Sequence, residues 1–210
     1  MEEILLTQKL FSNNPDIQKN AYLNWRTCKR APAHNLFVLA SNYADGAFIM
    51  IDAIITDNKD KKADGLIMPI LYSIDQSIEL FIKAIIRLLE EQHGGTVSNY
   101  AHHNIEELKN QMVAKIRKIA SKTVGLEKHL KPVTDFINEL YTKIKVKNSK
   151  GQDVVNIDFA RYPFDNDGNP HFYVDAPNNV VIDVENLRKI FTDIRVSLES
   201  LYFMYESINP

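Results

Sequence analysis

The chain has few of the residues on which disulfide, zinc and phosphate-loop chemistry depend. Its 210 residues include one cysteine, Cys28, which excludes an internal disulfide and argues against a cysteine-based zinc site. Glycine is scarce, with seven residues, and no glycine-rich phosphate-binding loop is visible. No stretch approaches the roughly 18 apolar residues of a membrane span, and the N-terminus lacks the basic start of a signal peptide. We therefore expect a cytoplasmic protein without a membrane partner.

The composition predicts one folded domain with an uneven charge distribution. Apolar residues make up 45% of the chain, enough for a substantial core. Residues 109–150 hold 11 Lys/Arg and three acidic residues, whereas residues 151–210 hold four basic and ten acidic residues. The basic stretch is either a binding surface for a polyanion or a solvated face of two helices.

Apolar spacing of three and four residues predicts about five helices. They run from Asn35 to Thr56, from between Asp64 and Pro69 to about Gln92, from Asn104, from Pro132, and after Asp183. Proline is best tolerated in a first helical turn, so a late start near Pro69 is favoured for the second helix. Each helix has an apolar stripe, and the stripe of the first is predicted at Leu36, Leu39, Tyr43, Ala47, Met50 and Ile54.

Two further segments complete the predicted architecture. Short alternating runs flank a turn-rich segment at 165–170 and predict a small β-hairpin before the last helix. Residues 1–33 form a lead-in that Tyr22, Leu23 and Trp25 are expected to dock on the core. The predicted fold is an all-α, up-down bundle of about five helices at residues 34–210, with the hairpin inserted before the last.

Three segments in order along the chain carry a family resemblance. They are Glu79-Leu-Phe-Ile-Lys83, His103-Asn-Ile-Glu-Glu-Leu108 and Ala160-Arg-Tyr-Pro163. Together they resemble the HEPN family of small helical domains, over roughly residues 35–208. Glu79 and Lys83 are interpreted as a structural ion pair, and His103 either stabilises a helix start or contributes to binding.

The resemblance implies association with RNA or a nucleotide in a stress or defence setting, such as a toxin or an abortive-infection system. It also implies a homodimer or a partner chain such as a nucleotidyltransferase, and apolar stripes on the second and last helices are compatible with either. Within the basic stretch, Lys115, Arg117 and Lys118 are predicted to bind the ligand together with His103.

Whether such a protein cuts RNA depends on an arginine and a histidine. A histidine can deprotonate the 2′-hydroxyl and an arginine can stabilise the phosphate, without metal or cofactor. Arg161 and His171 would face each other across the predicted hairpin. Arg87 and His93 match the spacing of the family's ribonuclease motif, but they lie at the end of the second helix. The sequence therefore leaves open a non-catalytic binding module, a metal-independent endoribonuclease and a purely structural protein.

One acidic segment has part of the pattern of a calcium-binding loop. Residues 165–169 read Asp-Asn-Asp-Gly-Asn, like the start of such a loop, but Pro170 and Ala176 replace the glycine and glutamate that the loop needs. A turn is predicted instead, and no metal site is expected anywhere in the chain.

Overall fold

A computed structural model describes residues 10–93, 103–119, 125–147, 153–155, 157–174 and 176–207. These residues are mostly helical, which confirms the all-α prediction. The elements are α1 (Pro32–Thr56), α2 (Lys62–His93), α3 (Ile105–Ile119), α4 (Leu126–His129), α5 (Lys131–Ile144), β1 (Lys145–Lys147), β2 (Asp153–Val155) and α6 (Val184–Glu206). The two short strands pair antiparallel.

Helix α2 is the centre of the fold. Sixteen of its 32 residues are buried, and α1, α3 and α6 pack around it. Its predicted stripe lies in the core, from Leu71 and Ile74 to Ile85 and Leu88. The stripe of α6 also packs inside the protomer, so these two stripes give no support for a subunit interface.

The start of α2 differs from the prediction, because the helix begins seven residues before Pro69. Asn58 accepts the backbone N–H of Ala63 at 2.9 Å and so caps the additional turns. Leu66 and Met68 pack against the core. A proline inside a helix removes one backbone hydrogen bond, and these contacts offset that loss. The spacing of apolar residues does not show that such contacts form.

The core face of α1 is rotated from the predicted stripe. The buried residues are Ala33, Ala40, Ala44, Ala47, Ile51 and Ile54. Of the predicted stripe, Ala47 and Ile54 are buried but Leu39 is 45% exposed. Alanines form the buried face in the first half of α1 and Ile51 and Ile54 in the second half, so the large apolar residues mark this face only near the end of the helix.

Two predicted helix starts are confirmed by their capping bonds. Asn104 Oδ1 accepts the N–H of Glu107 at 3.1 Å, and Asp183 Oδ1 accepts the N–H of Asn186 at 3.0 Å. Helix α5 begins one residue before the predicted Pro132. The four-residue helix α4 had no counterpart in the prediction.

The segment before α6 is more irregular than two strands joined by a turn. Ile157–Ala160 form a single 3-10 turn, and Phe164 makes one isolated bridge with Pro170. The turn itself is present, because Asp165 accepts the backbone N–H groups of Asp167 and Asn169. This segment folds back on the bundle through Phe159, which is buried.

The lead-in does not dock as expected. Tyr22, Leu23 and Trp25 are 56%, 84% and 78% exposed, and Cys28 is also exposed. The buried face of α1 packs its alanines against α2 and α6, so this face is not available to these rings.

Length and composition also make two helices, Pro32–Thr56 and Lys62–His93, long and apolar enough to cross a membrane. Core helices of soluble proteins pass the same test, and half of the apolar window in the second helix is buried inside the protein. The finding is weak evidence about location.

Candidate functional site

Glu79 and Lys83 form a buried ion pair in the middle of α2. Lys83 Nζ donates to Glu79 Oε1 at 2.7 Å, and the two side chains are only 8% and 3% exposed. His103 Nδ1 lies 3.0 Å and 3.1 Å from the two oxygens of the same carboxylate. Burial makes this pair far more consequential than a helix-surface pair, since removing one partner strands a charge in the core. The pair and His103 therefore join α2 to the start of α3.

Asp75 lies one turn before Glu79 on the same face and was not singled out by sequence reasoning. It is 5% exposed. Burial raises the pKa of its carboxyl to about 8, and the neighbouring charge of Glu79 adds to this, while Arg161 opposes it. Asp75 is consequently protonated at neutral pH. The signal for this buried row in the sequence was a charged residue at every fourth position of an apolar helix, at positions 75, 79 and 83.

Arg161 reaches this row from the segment before α6. Its Nη2 donates to the carboxylate of Asp158, in the preceding 3-10 turn. The guanidinium also lies close enough to Asp75 to lower that carboxyl's pKa. The 3-10 turn directly before Arg161 packs against α2, the helix that carries the first segment of the resemblance.

His171 lies near the same carboxylate but is buried, with 3% of its surface exposed. Burial lowers its pKa, and the negative charges of Asp165 and Asp158 oppose that shift. Its Nε2 is buried without a hydrogen-bond partner in the described part of the chain. Asp158 therefore lies within electrostatic reach of both Arg161 and His171, and the histidine is closed to solvent.

Tyr141 connects α5 to the same region. Its hydroxyl donates to Asn104 Oδ1 at 3.0 Å and accepts the N–H of Glu106 at 3.2 Å. Burial raises its pKa to about 12, so it stays protonated and holds the N-terminus of α3 in place. This contact was missed because it joins residues 37 positions apart in sequence.

Arg87 and His93 do not form a site together. Helix α2 continues through His93, so the two residues lie about 120° apart around the helix axis. Arg87 Nε donates to Glu91 Oε1 at 2.7 Å, and His93 is exposed at the helix end. The motif spacing is met within a continuous helix, which separates the two side chains.

The predicted cationic residues have different environments. Lys115 Nζ lies 2.8 Å from the buried carboxylate of Glu90, so it ties α3 to α2. Arg117 pairs with Glu127 at 2.9 Å, and both side chains are exposed. Lys118 is exposed on α3. Of these three, Arg117 and Lys118 present their charge to solvent.

Arg117 lines a groove between α3 and the α4–α5 segment, which we call the basic groove. Its volume is about 590 Å³. Its lining residues are Lys109, Asn110, Val113, Arg117, Glu127, Lys128, Leu130, Lys131, Thr134 and Asp135. Four cations and two acids leave a net positive charge, with Arg117 paired to Glu127 and Lys131 paired to Asp135. Lys109, Lys128 and Lys131 were not among the predicted binding residues.

Comparisons with family models, curated proteins and solved structures gave no match to this chain. Across the residues that the structure describes, no group of three or more His, Cys, Asp or Glu side chains is arranged to hold a metal ion. The candidate site has two features. One is the buried polar row on α2, which His103 contacts and whose Asp75 feels the charge of Arg161; the other is the basic groove at the surface.

Proposed function

We propose that this chain is a HEPN-like protein that binds RNA or a nucleotide through the basic groove, as a non-catalytic module. The observation that supports the proposal best is the clustering of Lys109, Arg117, Lys128 and Lys131 around one cavity. The stress or defence setting rests on the resemblance, whereas the finer description of an up-down bundle with a hairpin before the last helix rests on the apolar spacing and turn residues of the sequence.

The groove is chemically suited to phosphate. Arg117 offers a planar fork that matches two phosphate oxygens, whereas Lys128 and Lys131 supply compact charges. The ion pair between Arg117 and Glu127 is an exposed one, and such pairs contribute little stability. A phosphate can therefore replace Glu127 as the partner of Arg117 at small cost.

The proposal is tested by titrating a labelled single-stranded RNA and following anisotropy at several salt concentrations. The variant Arg117→Ala/Lys128→Ala should bind more weakly, and its salt slope should fall by about 1.4, because each lost phosphate contact removes roughly 0.7. The matched control is Lys59→Ala/Lys189→Ala, which removes two exposed charges from other surfaces. Equal losses in the two variants would show that only net charge matters and would refute the groove.

Glu127 provides a test with the opposite sign. Glu127→Gln removes the competing carboxylate from Arg117, so RNA binding should become tighter. Unchanged or weaker binding by this variant would contradict the idea that phosphate takes the place of Glu127.

A metal-independent endoribonuclease is the second candidate, favoured by the ion pair of Arg161 with Asp158, whose charge also reaches His171. The lowered pKa of His171 keeps its imidazole in the neutral form that a general base requires. The ring is buried, however, so a substrate reaches it only if the residues that cover it move aside.

Cleavage is tested by incubating total RNA with wild-type protein in the presence of a chelator. Loss of cutting in both Arg161→Lys and His171→Gln, with His34→Ala active as the exposed-histidine control, would assign the pair. His93→Ala tests the other motif in the same assay. Absence of cutting at high protein concentration would leave the binding module as the only RNA-related function.

The proposed partners are a second copy of the chain or a nucleotidyltransferase, and the proposed location is the cytoplasm. The partners follow from the resemblance and the location from the sequence. The stripes on α2 and α6 add no support for an interface, because they are buried within the protomer. Light scattering of the purified chain, alone and with a candidate partner, would test the assembly.

A further inference from the structure

The lead-in before α1 presents aromatic rings to solvent. Tyr22 and Trp25 are 56% and 78% exposed, and their ring centroids lie 6.4 Å apart. Together with Arg26, Val38 and Leu39 they border a cavity of about 490 Å³ on the outer face of α1. Large exposed rings grouped around a cavity are uncommon on a surface without a binding role.

This segment is fixed to α1 by hydrogen bonds. Asn35 accepts the N–H of Cys28 at 2.8 Å and donates to its carbonyl at 2.7 Å. The N–H of Trp25 donates to the carbonyl of Tyr22 at 3.2 Å, which closes a turn between the two rings. These bonds join the lead-in to the start of α1 and place both rings on one turn of the chain.

The chain around the rings carries charge of mainly one sign. No acidic residue occurs between Asp16 and Asp45; Lys19 pairs with Asp16 at 3.2 Å, whereas Arg26, Lys29 and Arg30 lie in that interval and are exposed. An apolar docking site for a protein requires no such bias. Exposed rings combined with cations fit a ligand that carries both flat aromatic groups and negative charge.

We infer that residues 19–30 form a stacking platform for single-stranded RNA, on which bases stack against Trp25 and Tyr22 while Arg26, Lys29 and Arg30 contact phosphates. Stacking of this kind tolerates many sequences, because every base has a flat face. The inference takes RNA as the ligand from the proposed function, but it uses residues separate from the basic groove.

The test uses the fact that Trp25 is the one tryptophan in the chain. Adding a single-stranded RNA 12-mer to the full-length protein should quench Trp25 emission, and the quenching should weaken as salt increases. In anisotropy titrations, Trp25→Ala should bind about fivefold or more weakly. Trp25→Phe, which keeps a ring, should stay close to wild type.

Val181→Ala is the matched control, because Val181 is an apolar residue that is 82% exposed but lies outside the platform and its cavity. It should bind RNA like wild type. Arg26→Ala/Lys29→Ala/Arg30→Ala should lower the salt slope by about 2. Absence of Trp25 quenching at low salt, or equal losses in Val181→Ala and Trp25→Ala, would overturn the platform and indicate a general apolar contact.

The failure of this inference is distinguishable from that of the proposed function. Quenching that persists in the groove variant Arg117→Ala/Lys128→Ala with unchanged affinity would support the platform and refute the groove. Binding that depends on the groove but leaves Trp25 emission unchanged would refute the platform and support the groove.

Discussion

Replacing Asp75 by asparagine should stabilise the protein at neutral pH and have a smaller effect in acid. The pKa of this carboxyl is about 8 in the folded state, compared with 3.8 for an unperturbed one, because the group is buried beside Glu79. The folded chain therefore keeps a proton that the unfolded chain releases. Stability contributed by the protonated form is full below about pH 4 and is lost as pH rises toward about 8.

The size of the effect follows from linkage. Each pH unit inside this window changes the free energy of unfolding by about 1.4 kcal/mol per proton. Between about pH 5 and pH 7.5, the wild type should therefore lose about 3 kcal/mol relative to Asp75→Asn. Asparagine keeps the shape of the protonated acid but does not titrate, so the remaining groups cancel in the comparison.

Urea unfolding followed by circular dichroism at the two pH values measures this difference. Asp60→Asn is the control, since Asp60 is exposed in the connector between α1 and α2. A difference between Asp75→Asn and wild type that stays constant from pH 5 to 7.5 would refute the assignment of a protonated, buried carboxyl.

Three other stability predictions concern single contacts. Lys83→Met should lower the free energy of unfolding by about 3–5 kcal/mol, because the Glu79 carboxylate is left buried without its partner. In urea unfolding, Glu79→Gln/Lys83→Met should recover part of that loss, and no recovery would argue against an unpaired buried charge. Ser197→Ala should cost about 1 kcal/mol, because its hydroxyl donates to the carbonyl of His129 at 2.6 Å and links α6 to α4; an unchanged unfolding midpoint would contradict this. Asp183→Ala should cost about 1 kcal/mol by removing the cap of α6, whereas Asp183→Asn should cost less.

The sequence by itself determined the five longer helices and most of the core. The stripe of α2 was readable because large aliphatic residues at spacings of three and four have no alternative but burial in a helical fold. The caps at Asn104 and Asp183 were readable because they act over three residues. Alanine carries a weaker signal, so the buried face of α1 was misplaced around Leu39.

Only the tertiary structure decided which polar residues meet. The row formed by Asp75, Glu79 and Lys83 becomes chemically distinctive through burial, and burial depends on α1, α3 and α6 closing around α2. The approach of Arg161 to Asp75 joins residues 86 positions apart, and the exposure of Trp25 depends on a core already filled by other helices. Local spacing fixes which face of a helix a side chain occupies, whereas the pKa of a carboxyl and the accessibility of a ring depend on what packs against that face.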